Sequence, residues 1–177
     1  MNVSTDGKII VVGAYAAIAN PRTLISRYSA NGTLDTTFGT NGFAFAGTGT
    51  NGNYAVTVNV LPDSRLLISG NSGFGNSGFA TSHEIFLTRL SSSGAADTTF
   101  GTNGYVRYTG VSSSVQAVVA VQPDQRILIG YATDRVNIHR LNANGSPDAT
   151  FGANGLITRA APIGERNLVD LVRLRNG

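Results

Sequence analysis

Asp35-Thr36-Thr37-Phe38-Gly39-Thr40-Asn41-Gly42 returns unchanged as Asp97-Thr98-Thr99-Phe100-Gly101-Thr102-Asn103-Gly104. It returns again, with two alanines, as Asp148-Ala149-Thr150-Phe151-Gly152-Ala153-Asn154-Gly155. Three copies of one octapeptide in 177 residues decide the fold, because tandem self-similarity is the mark of stacked repeat units. A second landmark precedes each copy: Asp6-Gly7-Lys8-Ile9-Ile10-Val11-Val12-Gly13, Asp63-Ser64-Arg65-Leu66-Leu67-Ile68-Ser69-Gly70, and the shorter Asp124-Gln125-Arg126-Ile127-Leu128-Ile129-Gly130. The spacing divides a single domain of residues 1–177 into units of about 6–62, 63–123 and 124–177.

Each unit carries four short apolar, β-branched runs, all too brief to favour a helix. In the first unit they are residues 8–12, 23–28, 43–46 and 54–60; the counterparts are 65–69, 84–90, 105–108 and 115–121, then 126–130, 136–141, 156–159 and 168–172. Asn-Gly and Gly-rich connections supply the positive φ of tight turns, so consecutive runs are expected to pair antiparallel. Pro62 and Pro123, each followed by Asp, are expected at turns between units, since proline fixes φ and cannot donate to a ladder. A lone four-stranded meander cannot bury both faces, so it must stack on another. The expected class is all-β, with three four-stranded antiparallel propeller-like blades. Closed propellers need about four to eight blades. Three blades leave a piece of a longer array, an open stack, or two copies closing a six-bladed ring; the homodimer is favoured because exposed apolar faces and edges invite association.

The run Pro-Asp-x-Arg-(Ile/Leu)-Leu, followed by Arg and then Gly-x-x-Asp-x-Thr-Phe-Gly-x-Asn-Gly, resembles the bacterial delta-60 repeat over nearly the whole chain. The resemblance implies a β-propeller-like unit from large secreted or surface proteins, hence an extracellular or cell-surface location, and implies no common catalytic function. Departures are Thr5-Asp6 in place of Pro-Asp, Ser93-Gly94 in place of Asn-Gly, and the missing Pro-Asp after Arg173.

Arg27, Arg89 and Arg140 each fall eight residues before Asp35, Asp97 and Asp148, and a bidentate ion pair pinning loop to strand is expected in every unit. Phe38, Phe100 and Phe151 are expected to plug the space between neighbouring sheets. The same loops are rich in oxygen. Calcium takes six to eight oxygen ligands, which Asp35, Asp97 and Asp148 with Asn41, Asn103 and Asn154 would supply if they converged. Neither EF-hand nor glycine-rich nonapeptide spacing accompanies them, so no cofactor is the leading expectation and calcium the alternative.

Other patterns carry less chemistry. Gly47-Thr48-Gly49-Thr50-Asn51-Gly52 imitates a dinucleotide fingerprint, but a strand rather than a helix follows it. The stretch from Gly70 to Gly78 reads as a loop insertion without a nucleophile elbow. His139 stands where Ser26 and Thr88 stand in the other units, which makes it the candidate catalytic imidazole, while His83 ends the long loop. The absence of cysteine excludes thiol chemistry. The net charge of +3 is scattered, and the arginines at 159, 166, 173 and 175 mix with Glu165 and Asp170 without interleaved aromatics, so nucleic acid is not expected as a partner. No apolar run nears the roughly 20 residues of a membrane span, and the N-terminus lacks a signal-peptide layout. Two functions remain: a non-enzymatic repeat module displaying the loops at 14–22, 71–83 and 131–135 as a binding or structural scaffold, or, by fold analogy with propeller lactonases, a calcium-dependent hydrolase of a lactone or ester.

Overall fold

A computed structural model describes residues 1–15, 22–47, 52–74, 83–111 and 115–160. Within them the protein is all-β, with three four-stranded antiparallel sheets and no helix. The first sheet holds β1 (Asn2–Val3), β2 (Ile9–Tyr15), β3 (Arg22–Tyr28) and β4 (Phe43–Ala46). The second holds β5 (Gly52–Val60), β6 (Leu66–Phe74), β7 (His83–Leu90) and β8 (Tyr105–Val111). The third holds β9 (Val118–Val121), β10 (Ile127–Ala132), β11 (Arg135–Leu141) and β12 (Leu156–Ala160). Each sheet is a meander in chain order.

The sheets sit one strand ahead of the sequence units. Val60 pairs with Leu66 and Val121 with Ile127, so the Pro62 and Pro123 turns lie inside sheets, not between them. A turn this short leaves its two flanking strands as antiparallel neighbours, and the run that closes a unit in sequence therefore opens the next sheet. The sheets accordingly run from Asn2, Gly52 and Val118 rather than from residues 6, 63 and 124. The first sheet is completed by Asn2–Val3 against Ile9 and Ile10, a strand too short to announce itself by alternation. The run at 168–172 lies outside the described residues.

The insertion expected from Gly70 is a strand in its first half: β6 continues to Phe74, with Ser72 opposite Glu84. Residues 75–82 lie outside the described set, as do 16–21 of the first loop and most of the Gly47–Gly52 pattern. The third loop is a tight hairpin at Thr133 and Asp134, closed by Thr133 N–H donating to Arg135 O at 2.9 Å.

Period-two alternation gives each sheet two apolar faces, and stacking buries them in two cores. Ile10, Ile25, Ala44 and Phe38 of the first unit meet Leu66, Ile68, Phe86 and Leu90 of the second. On the opposite side of the second sheet, Leu67, Leu87 and Phe100 meet Ile127, Ile129 and Leu141 of the third. The middle sheet is thus covered on both faces. The outer face of the first sheet is more exposed, with Val11 36% and Phe45 48% exposed, and among the described residues the three sheets do not close into a ring.

Candidate functional site

The recurring octapeptides build one constellation three times. Arg27 Nε donates to Asp35 Oδ2 at 2.8 Å, Arg89 Nε to Asp97 Oδ2 at 2.7 Å, and Arg140 Nε to Asp148 Oδ2 at 2.7 Å. The pairing is the one the spacing predicts, but it is a single bond rather than a bidentate fork. The reason is local: Asp Oδ1 is occupied by the residue two positions on. Asp35 Oδ1 accepts the Thr37 N–H at 3.1 Å and its hydroxyl at 2.6 Å, and Thr99 and Thr150 do the same for Asp97 and Asp148. Nη2 of Arg27 and of Arg140 donates to the same threonine hydroxyl, at 3.4 and 3.2 Å, which leaves Nη1 for other work.

That work is joining the repeats. Arg27 Nη1 donates to Ser92 O of the next unit at 2.5 Å, and Arg89 Nη1 to Ala143 O at 2.5 Å. Beside each bond a second one crosses the seam, Gly39 N–H to Ser93 O and Gly101 N–H to Asn144 O, both at 2.8 Å. The guanidinium carbons lie 4.6 Å from the Phe38 centroid and 4.8 Å from that of Phe100, so charge and ring are stacked within the dock. Arg140 lies likewise 4.5 Å from the Phe151 centroid. Phe38 and Phe100 are fully buried, as intersheet plugs should be, whereas Phe151 is half-buried.

Glycine completes the dock. Gly94 and Gly145 cross the seam with φ of 90° and 86°, and a Cβ at either would stand 3.0 Å from the Phe38 ring or 2.9 Å from the Phe100 ring. Both conditions select glycine, since left-handed backbone is costly for other L-residues and the aromatic face leaves no room.

Sequence reasoning missed a second arginine. Arg65 Nη1 lies 3.2 Å from Asp97 Oδ2, and Arg126 Nε lies 3.3 Å from Asp148 Oδ2. Its signal was the Asp-x-Arg of Asp63-Ser64-Arg65 and Asp124-Gln125-Arg126, which stands as Asp6-Gly7-Lys8 in the first unit, where Lys8 pairs with Asp6. Electrostatics follow from this crowding. Burial raises the Asp97 pKa, but the Thr99 hydroxyl and the Arg89 guanidinium outweigh it and hold it at about 2. The Thr150 hydroxyl and N–H, with Arg140, hold Asp148 at about 2 as well. Asp35 is also lowered, chiefly by the Thr37 hydroxyl.

The six candidate calcium ligands are distributed as one Asp and one Asn in each of three successive loops. Asn41, Asn103 and Asn154 occupy left-handed backbone, with φ of 52°, 52° and 50°, a turn conformation asparagine tolerates. The Asp oxygens already accept from threonine and arginine. Among the described residues no three His, Asp or Glu side chains group as metal ligands.

His139 faces the second core. Its Nε2 lies 3.2 Å from Tyr131 Oη, its ring stacks on Tyr131 at 5.7 Å with an interplanar angle of 13°, and Tyr108 lies 4.2 Å away. Burial lowers its pKa and raises those of Tyr108 and Tyr131, so all three are neutral near pH 7. The partner seen for the imidazole is a phenol rather than a carboxylate that would orient a general base.

Two open grooves follow the seams, one of 950 Å³ beside Thr99, Asn103, Tyr105 and Asn144, the other of 440 Å³ beside Asp6, Arg27, Asp63 and Ser93. Among the described residues no helix is long and apolar enough to cross a membrane. The chain matches a family described as Domain of unknown function (DUF5122) beta-propeller over residues 5–38 and 122–151. Both matched segments run from the Asp turn through the Arg and Asp to the Phe of a repeat. Two of the three units are therefore similar to a β-propeller repeat. No curated protein and no solved structure matches the chain.

Proposed function

We propose that the protein is a non-enzymatic repeat module of the delta-60 type, a structural or binding scaffold of an extracellular or surface protein, occupying residues 1–177 as one domain. The observation that carries this reading is the fate of the recurring polar residues: every Arg–Asp constellation is spent on holding a loop, and two of the three also bind the next repeat. A site for chemistry would keep acceptors or a base unspent, and a scaffold would not. The seam grooves are the surfaces such a scaffold offers to a ligand, their walls lined by threonine, asparagine and charged side chains.

The alternative is a calcium-dependent lactone or ester hydrolase using Asp35, Asp97 and Asp148 with their asparagines, or His139. A thermal unfolding series with added calcium and with chelator, run alongside a lactone and ester panel, separates the two. The scaffold predicts one unchanged midpoint and no hydrolysis. A midpoint that rises with calcium, as binding to the native state requires, or turnover abolished by chelation, would replace the scaffold with the metal enzyme.

A further inference from the structure

The stack has two unlike ends, and each bears half of the dock that the middle completes twice. At the first end is the loop Ala30-Asn31-Gly32, equivalent to Ser92-Ser93-Gly94 and Ala143-Asn144-Gly145. All three loops close by the same turn, Gly32 N–H to Ser29 O, Gly94 N–H to Ser91 O and Gly145 N–H to Asn142 O, at 2.9–3.0 Å. Gly145 is buried on Phe100 and Gly94 partly buried on Phe38, while Gly32, with the same left-handed φ of 84°, is exposed and has nothing within 4 Å of an added Cβ. Its geometry is that of a docking loop without a dock.

At the other end is the receptor. Arg140 lies over Phe151 and binds Asp148 as its counterparts do, but among the described residues no carbonyl accepts from its Nη1, and none accepts from Gly152 N–H, the equivalent of Gly39 and Gly101. The sheet faces agree. Val11, 36% exposed, stands where Ile68 is 0% exposed, and the half-buried Leu24 stands where Phe86 is 1% exposed. On the third sheet Leu128, Ile138 and Ile157 are half-buried where Leu67, Leu87 and Val106 line a core.

We infer that the occupant of each end is a second copy of this chain, joined head to tail, with the Ala30-Asn31-Gly32 loop of one copy seated on Arg140, Phe151 and Gly152 of the next. The contact is heterologous: its two halves are different surfaces, and it closes a ring of six sheets if two contacts meet, or grows a filament if they do not. The complementarity is specific. Carbonyls of residues 30 and 31 meet the guanidinium and the glycine N–H, glycine meets the ring, and an apolar face with Val11 and Phe45 meets one with Leu128, Ile138 and Ile157. This rests on the scaffold reading, but it fails by mass whereas that reading fails by calcium response or hydrolysis.

Sedimentation equilibrium over a dilution series tests it with the full chain. The wild type is expected at twice 18.4 kDa or larger. Gly32→Leu and, independently, Val11→Lys block one half, and Ile157→Lys, on an end strand, blocks the other; far-ultraviolet dichroism checks that each is folded. Each folded variant is expected as a monomer alone. Mixing a first-end variant with Ile157→Lys is expected to restore a one-to-one dimer, since one intact contact survives. A monomeric wild type, whether because residues 161–177 cover the third sheet or because another partner is needed, overturns the inference. So do variants that associate as the wild type does, and a mixture that stays monomeric.

Discussion

Asp97 illustrates how much one residue is asked to do. Its Oδ1 caps the Thr99 turn, and its Oδ2 receives Arg89 from strand β7 and Arg65 from the turn that leads into β6. Its pKa of about 2 lies below the 3.8 of an unperturbed aspartate, and the same holds for Asp148. The sign follows from linkage. A carboxyl whose folded pKa is depressed stabilises the fold fully above the unfolded value, and that contribution is lost as pH falls through the folded one. The thermal midpoint is therefore expected to be level from neutrality down to about pH 5 and to fall steeply between about pH 4 and pH 2. An Asp97→Asn variant should start lower and fall less over that interval. A midpoint indifferent to acid would show that these carboxylates are not paired in solution. At this scale the Arg–Asp spacing was legible because eight residues separate the partners in all three units. The change from fork to single bond was not legible, since it depends on a threonine competing for the same oxygen.

The elements follow from alternation and from turns, and the sequence discloses these unequally. Phe43–Ala46 reads directly as a strand because apolar residues are bounded by Asn41-Gly42 and a further glycine. Phe74 does not, because glycine, asparagine and serine fill 70–73, and it is pairing with β5 along the whole stretch, and with β7 as far as Ser72, that makes them a strand. The offset between unit and sheet was hidden for a similar reason: repeats show where a pattern restarts, while pairing is set by which turn is short. Phe151 marks the last element whose environment depends on a neighbour. Phe100→Ala empties a fully buried site and is expected to cost about 3–5 kcal/mol in urea unfolding. Phe151→Ala, half-buried, is expected to cost roughly half that or less when measured on monomer. Equal losses would mean that Phe151 is already covered within one chain.

For the molecule as a whole, stability is a chain of nearest-neighbour contacts, since among the described residues the first and third sheets each form a core with the middle one, which is covered twice. The apolar faces at the two ends are equivalent to the surfaces that form the cores, and among the described residues no further sheet covers them. The central claim is that the recurring loops exist to dock one sheet on the next. A double-mutant cycle in urea across the second dock tests it most directly. Gly145→Ala should be destabilising, because its Cβ would meet the Phe100 ring and the Gly101 nitrogen, both at 2.9 Å. Combined with Phe100→Ala, which clears the ring, the loss should fall short of the sum by about 0.5 kcal/mol or more. Gly32→Ala, facing open space, should add to Phe100→Ala without coupling. Strict additivity of Gly145→Ala with Phe100→Ala would contradict the dock.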